Sequence, residues 1–219
     1  MTSAVRVPRP LVLAGAVVFL LALGLMVLTI GQPSSAASSA SGTSSSASAA
    51  PAETSADVGF ARDMSIHHQQ AVEMSFIVRD RTDDVDVRRL AYDIINTQAN
   101  QRGMMLGWLE TWGRPKSSER PPMEWMGHTV TATGDGSLMP GMATDAELDE
   151  LRKAKGTAAE ILYLRLMTVH HRAGAEMAQA AAGAAVTEEI KNLAAGMVRG
   201  QKSEIGLMAD MLKERSATA

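Results

Sequence analysis

Beyond residue 56 the apolar positions of this chain return every three or four residues. One stripe runs Phe60, Met64, His67, Ala71 and Met74, and a second runs Tyr163, Met167, His170, Gly174 and Met177. Each is the single face of a helix that packs against others. A partner stripe follows each one. The first starts near Asp84 and carries Val87, Leu90, Ala91, Ile94, Gln98, Gln101, Met105, Trp108 and Leu109. The second starts at Thr187 and carries Ile190, Leu193, Met197, Gln201, Glu204, Met208 and Leu212. Asp57 is placed to cap the first helix, and Thr157 to Glu160 has the form of a capping box for the third. Glu188 and Glu189 suit the positive end of the fourth. Gly113 and Pro115 should stop the second helix, and Gly183 should separate the third from the fourth. The pattern predicts an all-α protein: a four-helix bundle of helices about 20–28 residues long, paired as two hairpins.

The two hairpins are copies. At a constant offset of 103 residues, Met64 meets Met167, His67 meets His170, His68 meets His171 and Met74 meets Met177. The register continues without a gap through Gln98 and Gln201, Met105 and Met208, and Leu109 and Leu212. Gln101 against Glu204 is the one chemical mismatch at a prominent place. A register held this long marks an internal repeat, with repeat one at 57–113 and repeat two at 157–216. The connection, 114–156, is rich in Pro, Gly, Ser and Thr over its first thirty residues and then turns amphipathic from Asp145 to Lys153. That is long for an idle connection, and it should wrap across one end of the bundle.

What precedes the repeats is of another kind. Leu11 to Ile30 is twenty residues without a charge, the length of one membrane span. Arg6 and Arg9 lie before it, which places the N-terminus inside and the remainder outside. Residues 1–31 therefore read as a signal anchor or a cleaved signal peptide, and either puts the rest of the chain outside the cytoplasm, tethered to the membrane or secreted. Residues 32–56, almost all Ser and Ala, read as a disordered linker, and the bundle domain as 57–216. The chain holds no cysteine, so the core alone must stabilise an exported domain. With Arg6 and Arg9 set aside, 19 basic residues face 24 acidic ones, a balance that argues against nucleic acid as a partner.

Four of the five histidines fall in the two repeated pairs. Adjacent helical residues point about 100° apart, so His67 and His170 should lie mid-stripe while His68 and His171 sit on the shoulder. Imidazole binds zinc, copper, iron and nickel, and a thioether favours monovalent copper. Met64, Met74, Met167 and Met177 stand within one or two turns of the pairs. Fifteen methionines against three phenylalanines add to that bias, although many must simply fill a helical core. The proposed metal ligands are His67, His68, His170 and His171 with Met64, Met74, Met167, Met177 and Glu204. Gln98, Gln101 and Gln201 are cast as partners that orient the imidazoles. A further loop site could form from Met123, Met126, His128, Met139 and Met142, above a floor of Trp108, Trp112 and Trp125. A di-iron centre fits poorly, because no Glu-x-x-His occurs. No catalytic residue and no nucleotide loop, zinc-protease helix or nucleophile elbow is found, so nothing names a reaction.

These motifs resemble the bacterial domain of unknown function 305 family of exported, His- and Met-rich helical proteins. The resemblance rests on Phe60, Met64, His67, His68, Ala71 and Met74, then Gln98, Met105, Trp108 and Leu109. In the second copy it rests on Gly156, Met167, His170, His171, Gly174, Ala175, Met177, Gln201, Glu204, Ile205 and Met208, with Pro140 to Met142 between. It spans about Val58 to Leu212. Gln101 departs from the family's usual Glu, and Ala159-Glu160 from a common Phe-Asp pair. The resemblance implies a ferritin-like fold and, for some members, copper binding and copper tolerance outside the cytoplasm.

The expected function is extracytoplasmic metal binding, with copper as the ion and zinc or iron behind it, for sequestration or transfer. A non-metallic structural or interaction module at the cell surface is the alternative, and a metal-dependent oxidoreductase the third reading. Partners reduce to the metal ion, a single-span membrane anchor and a second copy in a homo-oligomer.

Overall fold

A computed structural model describes residues 49–218, except Thr129 and Ala132. The expected signal or anchor, 1–31, and the linker up to residue 48 lie outside the described residues. Among the described residues there is no strand, and no helix is long and apolar enough to cross a membrane. The described residues form five α-helices, α1 (Ala56–Arg79), α2 (Val85–Thr111), α3 (Asp145–Lys153), α4 (Gly156–Ala184) and α5 (Glu188–Glu214), with a 3-10 turn at Glu124–Met126. α1 packs tightly on α2 and α4 on α5, the two hairpins expected from the repeat, and α1 and α4 join them face to face.

The helix ends differ from expectation in an instructive way. Ser55, not Asp57, caps α1, accepting the Val58 amide. The Asp57 carboxylate is buried and instead accepts from the Val186 and Thr187 amides and the Thr187 hydroxyl, so it ties down the turn that leads into α5 across the bundle. Its counterpart Glu160 forms no capping box with Thr157. Glu160 accepts from Thr82 in the α1–α2 turn and from Arg215. Each hairpin thus braces the turn of the other with the acid at the start of its first helix. The capping box occurs on α3, between Thr144 and Glu147. Gly183 lies inside α4, which runs one residue further; a single glycine costs a helix only about 1 kcal/mol, and the surrounding alanines favour continuation. Gly113 does end α2: at φ +63° it takes the left-handed conformation while Arg114 N–H returns to Leu109 O.

The final stretch of the Ser/Ala-rich segment is packed rather than free. Pro51 is buried and its carbonyl accepts from Arg114, and Glu53 pairs with Arg62.

Two apolar clusters fill the bundle. One gathers Met74, Met167 and Met208 with Val87, Leu90, Ile94, Tyr163 and Leu212. The other gathers Met64, Met105, Met177 and Met197 with Phe60, Leu109 and Ile190. Early α1 therefore meets late α4, and late α1 meets early α4, so the two central helices run antiparallel about a pseudo-two-fold axis. The long connection does more than cover an end. It seats Met123 and Met139 on the second cluster, and Gly141 then crosses α4, where an added Cβ would come within 2.4 Å of Ala173 Cβ. Ala143 and Leu148 and Leu151 of α3 complete the first cluster. The connection is a strap along the α1–α4 seam.

Candidate metal centre

Between the two apolar clusters lies a polar layer. His67, His68, His170 and His171 are all at most 1% exposed, with Gln98 and Gln201 at 3% and 5%. From the shoulder of their stripes His68 and His171 reach the neighbouring helices, at Gln101 of α2 and Glu204 of α5. α2 and α5 cover them, a second packing layer that the stripe on α1 or α4 does not reveal.

At the pseudo-axis His67 stacks on His170, ring centroids 3.7 Å apart and planes 30° from parallel. His68 and His171 flank them, with centroids 6.5 Å from His67 and 6.3 Å from His170 respectively. The stack is possible because position 174 is glycine: an added Cβ would stand 3.0 Å from His67 Cε1 and 2.6 Å from Gln201 Oε1.

The outer nitrogens are anchored. His171 Nε2 lies 2.6 Å from Glu204 Oε2, His68 Nε2 lies 2.9 Å from Gln101 Oε1, and His170 Nε2 lies 3.1 Å from the His67 carbonyl. Each partner is an acceptor, so each Nε2 carries the hydrogen and donates. In a neutral ring the lone pair then resides on Nδ1. The Nδ1 atoms of all four histidines are buried without a partner, as are His67 Nε2 and the Oε1 atoms of Gln98 and Gln201. Burial, reinforced by the neighbouring imidazoles, holds His67 and His170 well below the usual imidazole range. Burial also brings His68 down to about 4, opposed by its bond to Gln101. These three rings are neutral at pH 7 and present bare lone pairs, the form in which imidazole ligates a metal.

Glu204 and Gln101 occupy matching places, and both hold an imidazole rather than facing the centre. A small cavity of about 40 Å³ opens beside them between α2 and α5, lined by Gln98, Gln101, Gln201, Glu204, Gly196 and Gly200. As placed, no three His, Asp or Glu side chains among the described residues converge as a preformed ion cage.

The thioethers divide by layer. Met64 and Met177 lie in the cluster on one side of the imidazoles, Met74 and Met167 in the cluster on the other. Met123 and Met139 are buried in the second cluster, Met126 and Met142 pack at its edge, and His128 is exposed. Trp108, Trp112 and Trp125 line that edge as expected, with Trp125 edge-on to Phe60 at 5.9 Å.

Two residues that the pattern did not single out fasten the strap to α1. Asp63 accepts from Met123 N–H at 2.7 Å and Trp125 Nε1–H at 2.9 Å; burial raises its pKa against those bonds. Two turns on, Gln70 pairs with both backbone groups of Ala143, at 2.8 and 2.7 Å. Their spacing on the α1 face away from α2 is the only local signal. Nothing in the sequence tells which residues of the strap they hold.

The family model for a domain of unknown function (DUF305) matches residues 57–212. No curated protein matches the chain. Among solved structures, a DUF305 protein from Streptomyces coelicolor, described as secreted, is 60% identical with a TM-score of 0.71, covering 76% of this chain and 98% of its own. A DUF305 fragment from Deinococcus radiodurans is 30% identical with a TM-score of 0.61, over 73% of this chain and 96% of its own. CopM in its Cu(I)-bound form is 23% identical with a TM-score of 0.55, over 72% of this chain and 96% of its own, a likeness of fold.

Proposed function

The chain belongs to the domain of unknown function 305 (DUF305) family, and on that footing we propose that its helical domain binds copper outside the cytoplasm, as Cu(I) on the buried imidazole layer, to sequester it or hand it on. The carrying observation is the set of unpartnered Nδ1 atoms on histidines whose Nε2–H groups are already anchored. Metal-ligating histidines generally donate their second nitrogen to a carboxylate or carbonyl, which fixes the tautomer and raises ligand basicity. Glu204, Gln101 and the His67 carbonyl do that here. Unpaired buried acceptors are otherwise unfavourable by about 1–3 kcal/mol each, so a ligand for them is a physical expectation.

Met64 and Met167 stand one turn before His68 and His171 and offer the soft donors that favour monovalent copper. Binding requires the His67–His170 stack to part so that lone pairs and thioethers converge. Support for copper in particular comes from CopM, known in Cu(I)-, Cu(II)- and Ag-bound forms. The secreted description of the Streptomyces coelicolor relative supports the compartment.

The test is a Cu(I) titration of the domain, purified without a His-tag, under chelator competition. Wild type should bind about 100-fold or more tightly than His68→Ala/His171→Ala. Equal affinities, with helicity preserved in both, end the proposal.

A non-metallic structural module is the second reading. It is favoured by the lack of a convergent cage among the described residues and by the three rings already bonded through Nε2. Under it the same double variant loses stability and no metal is taken up stoichiometrically.

A further inference from the structure

At the end of the bundle where α1 turns into α2 and α4 begins, Arg79, Arg81, Arg88 and Lys155 line an open pocket of about 590 Å³, together with Thr82 and Gly156. Among the described residues none of these four cations forms an ion pair. Arg88 donates to the carbonyls of Arg79 and Thr82, and Arg79 lies 5.8 Å from the centre of the Tyr92 ring. The Nε atoms of Arg79 and Arg81 are buried without an acceptor. Carboxylates are present too. Asp80 and Asp83 are exposed members of the lining, while the adjacent Asp84 and Glu160 are both committed to Arg215. The pocket therefore keeps a net positive charge in a chain whose formal charge is −3.

A second, independent feature points the same way. α4 starts at this pocket with Lys155 in the capping position, no side-chain cap and no acidic residue in its first turn. α1, α2 and α3 each have a side-chain cap, and α5 starts with two glutamates. The positive end of a 29-residue helix, whose Gly156 amide donates to the Arg81 carbonyl and whose first turn carries no acid, is thus added to the net positive lining. First-turn helix amides with guanidinium and ammonium groups together make the chemistry of an oxyanion site.

We propose that this pocket binds a phosphate ester. Guanidinium groups match phosphate oxygens bidentately, and the volume lies in the range of small-ligand pockets, larger than a bare oxyanion needs. A soluble phosphate monoester and the phosphate of a lipid headgroup offer the same chemistry. The site lies apart from the imidazole layer and does not depend on metal binding.

The metal-free domain is titrated with glycerol 3-phosphate by calorimetry and by amide NMR shifts, in constant chloride. Saturable binding is expected, with a Kd tighter than about 10 mM and shifts centred on residues 79–83 and 155–158. Arg81→Gln and Lys155→Gln should each weaken it about 5- to 10-fold, and Asp83→Asn should tighten it. Arg89→Gln, on an exposed ion pair with Asp86, should leave it unchanged. Unchanged thermal midpoints show that the variants fold. Sedimentation with phosphatidylglycerol vesicles against phosphatidylcholine vesicles separates the sources: Arg81-dependent pelleting assigns the lipid phosphate, and soluble-ester binding without pelleting assigns the free ester. Linear, non-saturating shifts, or affinities that all four variants leave alike, overturn the proposal.

Discussion

The His67 ring lies on the His170 ring at 3.7 Å between centroids, across the axis that relates the two halves of the chain. The two residues are 103 positions apart and are the same residue of the repeat, so each half contributes one face of a single contact. Such a stack is tolerable only between neutral imidazoles. Both are held well below the usual range by burial, each penalised further by neighbouring imidazoles.

A pH dependence follows. In the unfolded chain these imidazoles gain protons near pH 6.5; in the fold His67, His68 and His170 do not until much lower, near 4 for His68. The unfolded state therefore binds more protons as pH falls below 6.5, and acid favours it. Stability from this source is complete above pH 6.5 and declines between 6.5 and about 4, at up to roughly 1.4 kcal/mol per pH unit for each ring. Urea unfolding of the metal-free domain at stepwise pH measures it. His170→Leu should flatten the slope between pH 6.5 and 4; a slope identical to wild type refutes the assignment to these rings.

Glu204 and Gln101 make the two half-sites unequal. A carboxylate bonded to His171 supports that ring as a metal donor more strongly than an amide oxygen supports His68. Glu204→Gln keeps the acceptor and removes the charge, and should weaken Cu(I) about 10- to 100-fold in chelator competition. Gln101→Glu should strengthen it, by giving His68 the same support. Both changes are near-isosteric, so helicity should hold, and an unaltered Kd in both would place the ion elsewhere.

The stripe pattern made the helices, the hairpins and the repeat legible, because helical period and a constant register are local properties of the chain. It also marked the residues of the polar layer. It did not show that His68 and His171 are buried, since covering them depends on Gln101 and Glu204 of neighbouring helices. Nor could it show that Asp57 holds a turn 129 residues away, or that the strap methionines Met123 and Met139 join the core. Those facts arise from long-range packing, where local preference for a cap or a loop is outweighed by partners the sequence does not place.

The Asp57 brace can be weighed directly. Its carboxylate accepts from two amides and one hydroxyl at the α4–α5 turn. Asp57→Ala leaves three donors of the α4–α5 turn unpaired, which should cost about 3 kcal/mol and lower Tm by roughly 6–12 °C. Thr54→Ala, outside the brace, is the control for a change near the same helix end. A loss under about 0.5 kcal/mol would mean the turn finds other acceptors.

The strap depends on Asp63 in a way that two unlike substitutions can expose. The carboxylate holds the Met123 amide and the Trp125 indole N–H, and these seat Met123, which takes a left-handed φ of 63°, on the core. Asp63→Ala removes the acceptor, and two donors must then reach water, so the segment lifts. Gly59→Ala removes nothing polar, yet its added Cβ would stand 2.4 Å from Trp125 Cδ1 and 2.7 Å from Trp125 Cβ, so the indole must move. Both variants should speed hydrogen exchange at residues 123–127 about 10-fold or more and shift the Trp125 emission to the red, read in a Trp108→Phe/Trp112→Phe background. The α1–α2 and α4–α5 hairpins should keep their protection, because their contacts do not pass through the strap. Exchange that rises evenly over all helices would instead show that Asp63 supports the bundle as a whole and that no separable strap exists.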